Sequence, residues 1–140
     1  MRKSLIPFDG SDNALRAVQY VISLAEELPG LQVELLYVMD PVPFKLYAGL
    51  SDEGIRRMQV DEADRVVQPA RQLLDAAKIP YRAHFRIGPP ANEIALHLHE
   101  MHCDGIVMGT RGMSPMAALM IGSVATRTIH LVDVPVTLVK

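Results

Sequence analysis

The chain has 140 residues, of which 49% are hydrophobic, and its formal net charge is −2. This length fits one domain with a sizeable core, and the hydrophobic fraction excludes a disordered chain. The near-neutral charge gives no electrostatic reason to expect a nucleic acid or an anionic membrane as a partner.

The lone cysteine and the N-terminal residues predict a cytoplasmic protein. Cys103 has no second cysteine with which to form an internal disulfide, as is usual in a reducing compartment. Residues 1–7 lack the long apolar segment and cleavage site of a signal peptide. No apolar run is long enough to span a bilayer, so we expect no membrane partner. We expect Cys103 to be a small buried hydrophobic residue.

Two strands and a helix are predicted in the first quarter of the chain. Residues 3–8 form the first strand, with Pro7 at its carboxyl end because proline cannot donate a ladder hydrogen bond. Ser11 caps the following helix, and Pro29 and Gly30 end it. The helix has apolar side chains at helical spacing: Ala14, Val18, Val21, Ala25 and Leu28. Residues 33–39 are apolar except at Glu34 and predict a strand covered on both faces.

The middle of the chain predicts a loop, a long helix and an edge strand. Residues 41–51 form either an ordinary loop or a flap over a nucleotide base. Residues 52–78 form a helix that Pro69 interrupts, with a kink or a fresh start there. Residues 80–87 alternate between apolar and polar side chains, which is typical of a half-exposed strand at a sheet edge.

The remaining elements complete an α/β fold. A helix is predicted over residues 91–101, a buried strand over 106–108, a helix over 124–131 and a last strand over 134–139. Strands alternating with helices predict a single domain over residues 1–140 with an open parallel five-stranded sheet and helices on both faces, a Rossmann-like fold. Right-handed crossovers and the edge position of the third strand favour the strand order 3-2-1-4-5.

Two groups of polar residues do not predict a site of their own. His97, His99 and His102 lie close together, but no pair has the i, i+4 spacing of helical metal ligands, so we expect a solvated helix face. Ser123 is not surrounded by the G-x-S-x-G pattern of a nucleophile, so we expect it to cap a helix.

A glycine pattern lies between the predicted fourth strand and the helix that follows. Gly109, Gly112, Gly122 and Ser123 have the spacing G-x2-G-x9-G-S. Glycines allow a backbone to approach a ligand closely, and amides at a helix start attract anions. In the predicted strand order the pattern follows the carboxyl end of the fourth strand, beside the first strand, where the order of successive strands across the sheet reverses. The pattern therefore predicts a phosphate-binding loop, although an ordinary strand–turn–helix connection also contains glycines.

These residues resemble a known family over essentially the whole chain. Residues 104–112 are similar to the D-x-I-V-M-G-x-x-G motif of the universal stress proteins, and residues 122–124 are similar to their G-S-V motif. That family shares the strand order 3-2-1-4-5. Within it, the intact glycine pattern distinguishes the members that bind ATP, so the resemblance implies an ATP-binding protein.

The resemblance also implies a set of nucleotide-binding residues: Pro7, Asp9, Val38, Gly109, Arg111, Gly112, Gly122, Ser123 and Val124. In the family, residues at the positions of Pro7 and Asp9 lie beside the nucleotide, and the one at Val38 contacts adenine through its backbone. The glycines at 109 and 112 approach the ribose and phosphates. Residues 122–124 offer their amides, and Ser123 its hydroxyl, to the β- and γ-phosphates. Few cations lie in this segment, so Mg²⁺ (or Mn²⁺) is expected to offset the phosphate charge, with Asp9 near it through water.

The expected function is that of a regulatory stress-response protein that holds ATP–Mg and hydrolyses it slowly or not at all. No Walker motif and no obvious general base are present, so we expect no catalytic residue. Two alternatives are an interaction module with an empty crevice and an adenylating enzyme of the ATP-pyrophosphatase type. The first loop, D-G-S-D-N, lacks the paired glycines of that enzyme class, and fold alone says little of chemistry.

The last strand predicts a homodimer. The strand from Val134 to Val139 is strongly apolar and lies at a sheet edge, where exposed apolar strands aggregate unless they are covered. Pairing with a second copy about a two-fold axis covers such an edge. The universal stress proteins often dimerise in this way.

Overall fold

The computed structural model describes residues 1–41, 43–110 and 120–140. The described strands form one parallel sheet in the order 3-2-1-4-5, which confirms the predicted order. They are β1 Lys3–Pro7, β2 Gln32–Met39, β3 Tyr81–Ile87, β4 Gly105–Gly109 and β5 Val136–Val139. Strands β3 and β5 are therefore the two edges, and β1 lies at the centre between β2 and β4.

The helices cover both faces of the sheet, as predicted. They are α1 Asp12–Glu27, α2 Asp52–Ala76, α3 Pro90–Glu100 and α4 Ser123–Leu131, with a short 3-10 helix over Phe44–Tyr47. Side chains alternate between the faces along each strand. Ile6 of β1 packs with α1 and α2, whereas the preceding Leu5 packs with α3 and α4. The sheet therefore separates two apolar cores, which explains why its central strands are apolar at almost every position.

Helix α1 begins where its cap was predicted but ends earlier. The Ser11 side chain accepts a hydrogen bond from the Ala14 amide at 3.2 Å, which confirms the cap. Ala14, Val18 and Val21 are buried, as the apolar spacing predicted. Leu28 lies beyond the end of the helix and is 36% exposed, so its predicted place in the apolar stripe is wrong.

Helix α2 runs through Pro69 as one element of 25 residues, so the fresh start considered from the sequence is absent. Proline in a helix interior removes one backbone hydrogen bond and crowds the preceding turn. Here Val67 and Ala70, on either side of the proline, are buried against the core, while Pro69 itself is exposed. Packing of the apolar face therefore holds the helix together across a residue that disfavours it.

Two predicted segments have a different form in the structure. Strand β5 begins at Val136 rather than Val134, and all four of its residues are half-buried. Residues 41–51 contain the 3-10 helix, in which Leu46 is 69% exposed, and Val42 lies outside the described residues. Over the described ranges, no helix combines the length and apolar character needed to cross a membrane.

Candidate functional site

A cavity of about 350 Å³ opens at the carboxyl ends of β1 and β4. These strands are neighbours, but the helices that follow them, α1 and α4, pack on opposite faces of the sheet. A crevice forms at such a switch point because the two connections diverge from it. Its position agrees with the place at which the glycine pattern was expected to act.

The cavity brings together most of the predicted site residues. The predicted residues that line it are Pro7, Asp9, Val38, Gly109, Gly122, Ser123 and Val124. Arg111 and Gly112 lie outside the described residues. The described residues of the 41–51 segment, considered from the sequence as a flap, contribute nothing to this wall.

The amino end of α4 forms one side of the cavity. Its first helical hydrogen bond runs from the Thr126 amide to the Gly122 carbonyl at 3.0 Å. The amides of Ser123, Val124 and Ala125 therefore have no acceptor within the helix, and all three residues line the cavity. Such an end carries partial positive charge and attracts anions.

Gly122, not Ser123, occupies the cap position of α4. Its backbone lies at φ −60° and ψ 156°, and no side chain caps the helix. Ser123 is the first helical residue, so the prediction that it caps the helix is wrong. The glycine places no side chain at this end of the helix, and it lines the cavity together with the first three helical residues.

Backbone hydrogen bonds join the elements around this helix start. The Gly122 amide donates to the Thr110 carbonyl, and the Thr110 amide donates to the carbonyl of Val139 in β5 at 2.9 Å. The Asn13 side-chain amide reaches the Thr110 hydroxyl at 3.5 Å. The ends of β4 and β5 and the starts of α1 and α4 are thus held at one place.

The described wall of the cavity contains two carboxylates, from Asp9 and Asp40, and neither lysine nor arginine. Asp9 Oδ1 accepts a hydrogen bond from the Ser11 amide at 3.0 Å, which fixes the turn between β1 and α1. An anionic ligand would meet these negative charges unless a divalent cation came with it. Asp40 was missed as a site residue, although its place directly after β2 was visible in the sequence.

Gly109 has a packing role that the sequence did not show. A Cβ atom at this position would lie 2.8 Å from Asn13 Cβ and 2.9 Å from the Asn13 carbonyl carbon. It would also lie 3.0 Å from the Ala14 amide nitrogen. The glycine therefore lets the first turn of α1 approach the end of β4, and this contact sets the position of one cavity wall.

Replacing Gly109 with alanine is expected to lower the free energy of unfolding by about 1–3 kcal/mol, because backbone atoms of α1 must move. Gly105→Ala, at the other end of β4, is the matched control. There the three atoms nearest to the added Cβ all belong to the side chain of Met1, which is flexible and partly exposed. We expect a change of about 0.5 kcal/mol or less for the control. Urea unfolding of both variants measures the difference, and equal losses would contradict the packing role of Gly109.

A second polar group lies between the sheet and α3, outside the cavity wall. The Glu34 side chain on β2 is 1% exposed, and its Oε1 lies 3.1 Å from Lys3 Nζ and 2.6 Å from an Arg82 Nη atom. Its Oε2 lies 3.0 Å from His84 Nε2. Burial raises the pKa of Glu34, but Lys3 and Arg82 outweigh that effect and bring the pKa below its usual value. Glu34 is therefore ionised at neutral pH.

His97 of α3 also belongs to this group. It is buried, so the prediction of a solvated helix face is wrong for this histidine. It is 2% exposed, its ring centroid lies 4.8 Å from that of His84, and its buried Nε2 has no hydrogen-bond partner among the described residues. His99 and His102 are exposed, as predicted. His97 points inward because it lies one helical turn after the buried Ile94.

The family model described as the universal stress protein family matches residues 1–140. The chain belongs to the universal stress protein family. A relative, universal stress protein MJ0531 of Methanocaldococcus jannaschii, is 33% identical over 99% of this chain and 82% of its own length. This membership confirms the resemblance seen in the sequence motifs.

Solved structures agree with the universal stress protein fold. That of hypothetical protein MJ0577 is similar with a TM-score of 0.84 and 26% identity, over 99% of this chain and 95% of that one. A universal stress protein in complex with cAMP has a TM-score of 0.74 and 19% identity, over 99% and 97% of the two chains. The universal stress protein from Archaeoglobus fulgidus in complex with dAMP has a TM-score of 0.66 and 22% identity, over 100% of this chain and 98% of that one. Because the sequence identities to the two nucleotide complexes are low, these two likenesses show the fold alone.

Proposed function

We propose that this universal stress protein binds an adenine nucleotide, ATP with Mg²⁺ or Mn²⁺, and acts as a nucleotide-dependent regulator of a stress response. The observation that carries the proposal is the amino end of α4, which follows a glycine cap and whose first three residues, with amides lacking an acceptor within the helix, line the cavity. The cAMP and dAMP complexes are consistent with it, although their likeness to this chain extends to the fold alone.

In this proposal the phosphates bind at the start of α4. The amides of Ser123 and Val124 and the Ser123 hydroxyl donate to phosphate oxygens, and the backbone of Gly109 approaches the ribose. The Gly122 amide was also expected to bind phosphate, but it donates to the Thr110 carbonyl, so Gly122 contributes as the residue that caps the helix start. Gly112 and Arg111 belong to the same proposed site. The nucleotide lies beside Pro7 and Asp9, and adenine lies near the backbone of Val38, which lines the same cavity.

The two carboxylates of the wall account for the proposed metal. ATP carries several negative charges, and Asp9 and Asp40 add to them rather than offset them. A bound Mg²⁺ neutralises phosphate charge and keeps most of its water ligands, so Asp9 would hold it through water. The described wall contains no histidine or lysine that could act as a general base, and this favours slow hydrolysis or none.

Gly122→Val tests the site with little effect on the backbone, because φ at this position is −60°, which valine also adopts. The matched control is Ile121→Ala, which changes the adjacent residue, 45% exposed and not part of the cavity wall. Protein freed of nucleotide is titrated with ATP–Mg by calorimetry, and nucleotide released from untreated protein is identified by ion exchange. We expect Gly122→Val to weaken binding at least about tenfold, which is about 1.4 kcal/mol, and the control to leave it unchanged.

Removing the metal tests the proposed role of Mg²⁺ separately from nucleotide binding. With a chelator present, ATP is expected to bind more weakly than ATP–Mg, and Asp9→Asn is expected to reduce this difference. A wild-type protein that is purified empty and does not bind added ATP–Mg would overturn the assignment. It would favour an interaction module instead.

We also propose a homodimer formed through β5. Among the described residues this strand pairs only with β4, so its outer edge remains open to a second copy. Light scattering at micromolar concentration is expected to give twice the monomer mass of 15.5 kDa, and a monomer mass would refute the dimer.

A further inference from the structure

We propose that Glu34, His84 and His97 form a binding site for a zinc ion, separate from the nucleotide cavity. One possible ligand atom from each residue lies within 4.8 Å of those from the other two. None of the three residues lines the cavity at the strand ends. The site would join β2, β3 and α3, which are three rigid elements of the fold.

The spacing of these atoms is close to that of zinc ligands. Bonds of about 2.0–2.1 Å in a tetrahedron place ligand atoms about 3.3 Å apart. Glu34 Oε2 and His84 Nε2 are 3.0 Å apart, and a ring nitrogen of His97 lies within 4.8 Å of a possible ligand atom of each of these two residues. Two imidazoles and a carboxylate suit zinc better than magnesium or calcium, which prefer oxygen ligands.

The buried Nε2 of His97 is the second observation that points to a ligand. A buried polar atom without a partner costs free energy, and such atoms are rare in folded proteins. A metal ion would give the unpartnered nitrogen a bond.

The charges around the site balance before a metal binds. Lys3 and Arg82 contact Oε1 of Glu34 and leave Oε2 on the side of the histidines. Arg86 pairs with Glu93 at 2.6 Å and with Glu100 at 2.7 Å. Three cations thus face three carboxylates, so a divalent ion would enter surroundings of no net charge. Hydrogen bonds to the second oxygen of a metal-binding carboxylate are common and orient it.

Zinc at this position would leave a coordination position for water and would fix α3 against the sheet. His84 is 34% exposed, so solvent reaches the site from its side. Three protein ligands with one water is a common arrangement for zinc. His97 lies one turn after Ile94, and Ile94 lines the nucleotide cavity. A metal ion would therefore hold the helix that forms one part of the cavity wall.

Titration with Zn²⁺ tests this site directly. Chelator-treated, nucleotide-free protein is titrated with Zn²⁺ by calorimetry, and we expect one ion per chain. His84→Ala is expected to weaken binding at least about tenfold, or about 1.4 kcal/mol. His99→Ala removes an exposed histidine of the same region and is expected to change nothing. Circular dichroism confirms that each variant is folded; His84 is partly exposed, so its removal leaves the core intact.

Cobalt provides an independent readout of geometry. Co²⁺ in a four-coordinate histidine–carboxylate site absorbs in the visible region far more strongly than hydrated Co²⁺. We expect this band in the wild type and in His99→Ala, and its loss in His84→Ala and His97→Leu. No binding, or binding that His84→Ala leaves unchanged, would overturn the proposal. Binding that only His99→Ala removes would overturn it too, because it would show an adventitious ion only.

Discussion

Replacing Glu34 with alanine is expected to lower the free energy of unfolding by about 3–5 kcal/mol, the usual cost of removing one partner of a buried ion pair. The change leaves Lys3, whose side chain is 16% exposed, without its carboxylate. Within the described part of the chain, Lys3 Nζ would keep its hydrogen bond to the Met101 carbonyl, at 2.6 Å, and no other. Urea unfolding at pH 7 with a chelator present measures the loss without a contribution from bound metal.

A surface pair provides the control for this prediction. Glu62 forms a bidentate pair with Arg65 on α2, at 2.8 Å, but both side chains are well exposed, at 42% and 71%. Solvent screens such a pair, so Glu62→Ala is expected to cost about 0–1 kcal/mol. Losses of equal size in the two variants would show that the buried position of Glu34 has no special cost.

Acidification from pH 6.5 to pH 4 is expected to remove about 3 kcal/mol of stability through His97 alone. Burial is the main cause of its low pKa, about 4 against an ordinary 6.5, and His84 and Arg86 add to it. Glu34 and Glu100 act in the opposite direction. Between these pH values the unfolded chain binds a proton that the folded protein excludes, so stability falls as pH falls.

His97→Leu isolates this effect. The variant has no group to protonate at this position, so its loss of stability between pH 6.5 and pH 4 is expected to be smaller than that of the wild type by about 3 kcal/mol. His99→Leu, at an exposed position, is expected to keep the wild-type pH dependence. Below pH 4.5, protonation of Glu34 adds a further loss in both proteins, because its pKa is also lowered. Parallel pH profiles for wild type and His97→Leu would refute the prediction.

The fold was predictable because its signals are local and repeated. Apolar strands alternate with amphipathic helices, and right-handed crossovers leave few possible strand orders. The boundaries were less accurate. Helix α2 passes Pro69 because Val67 and Ala70 pack into the core, and that packing involves residues far away in the sequence. Strand β5 is two residues shorter than its apolar pattern predicted.

Part of the candidate site was predictable because its glycine pattern is also a local signal. The spacing of Gly109, Gly122 and Ser123 is visible in one segment, and the strand order places that segment beside Pro7 and Asp9. The position of Asp40 directly after β2 was visible, but its place in the cavity wall was not predicted, because it depends on where β2 ends relative to β1. The cap position of Gly122 depends on where α4 begins, which the sequence placed within a residue but not at the correct residue.

The sequence by itself determined the parallel sheet and the glycine segment, because each follows from patterns within one element or between neighbouring ones. The strand order followed from right-handed crossovers, the edge character of the third strand and the family resemblance. Only the tertiary structure showed that Gly109 admits the first turn of α1, and that Glu34, His84 and His97 meet beneath α3. Glu34 and His84 are 50 residues apart along the chain, and they meet because of the register of β2 and β3. His97 joins them because of the rotation of α3 about its axis. Such contacts leave no periodic signal in the sequence, because packing between elements fixes them.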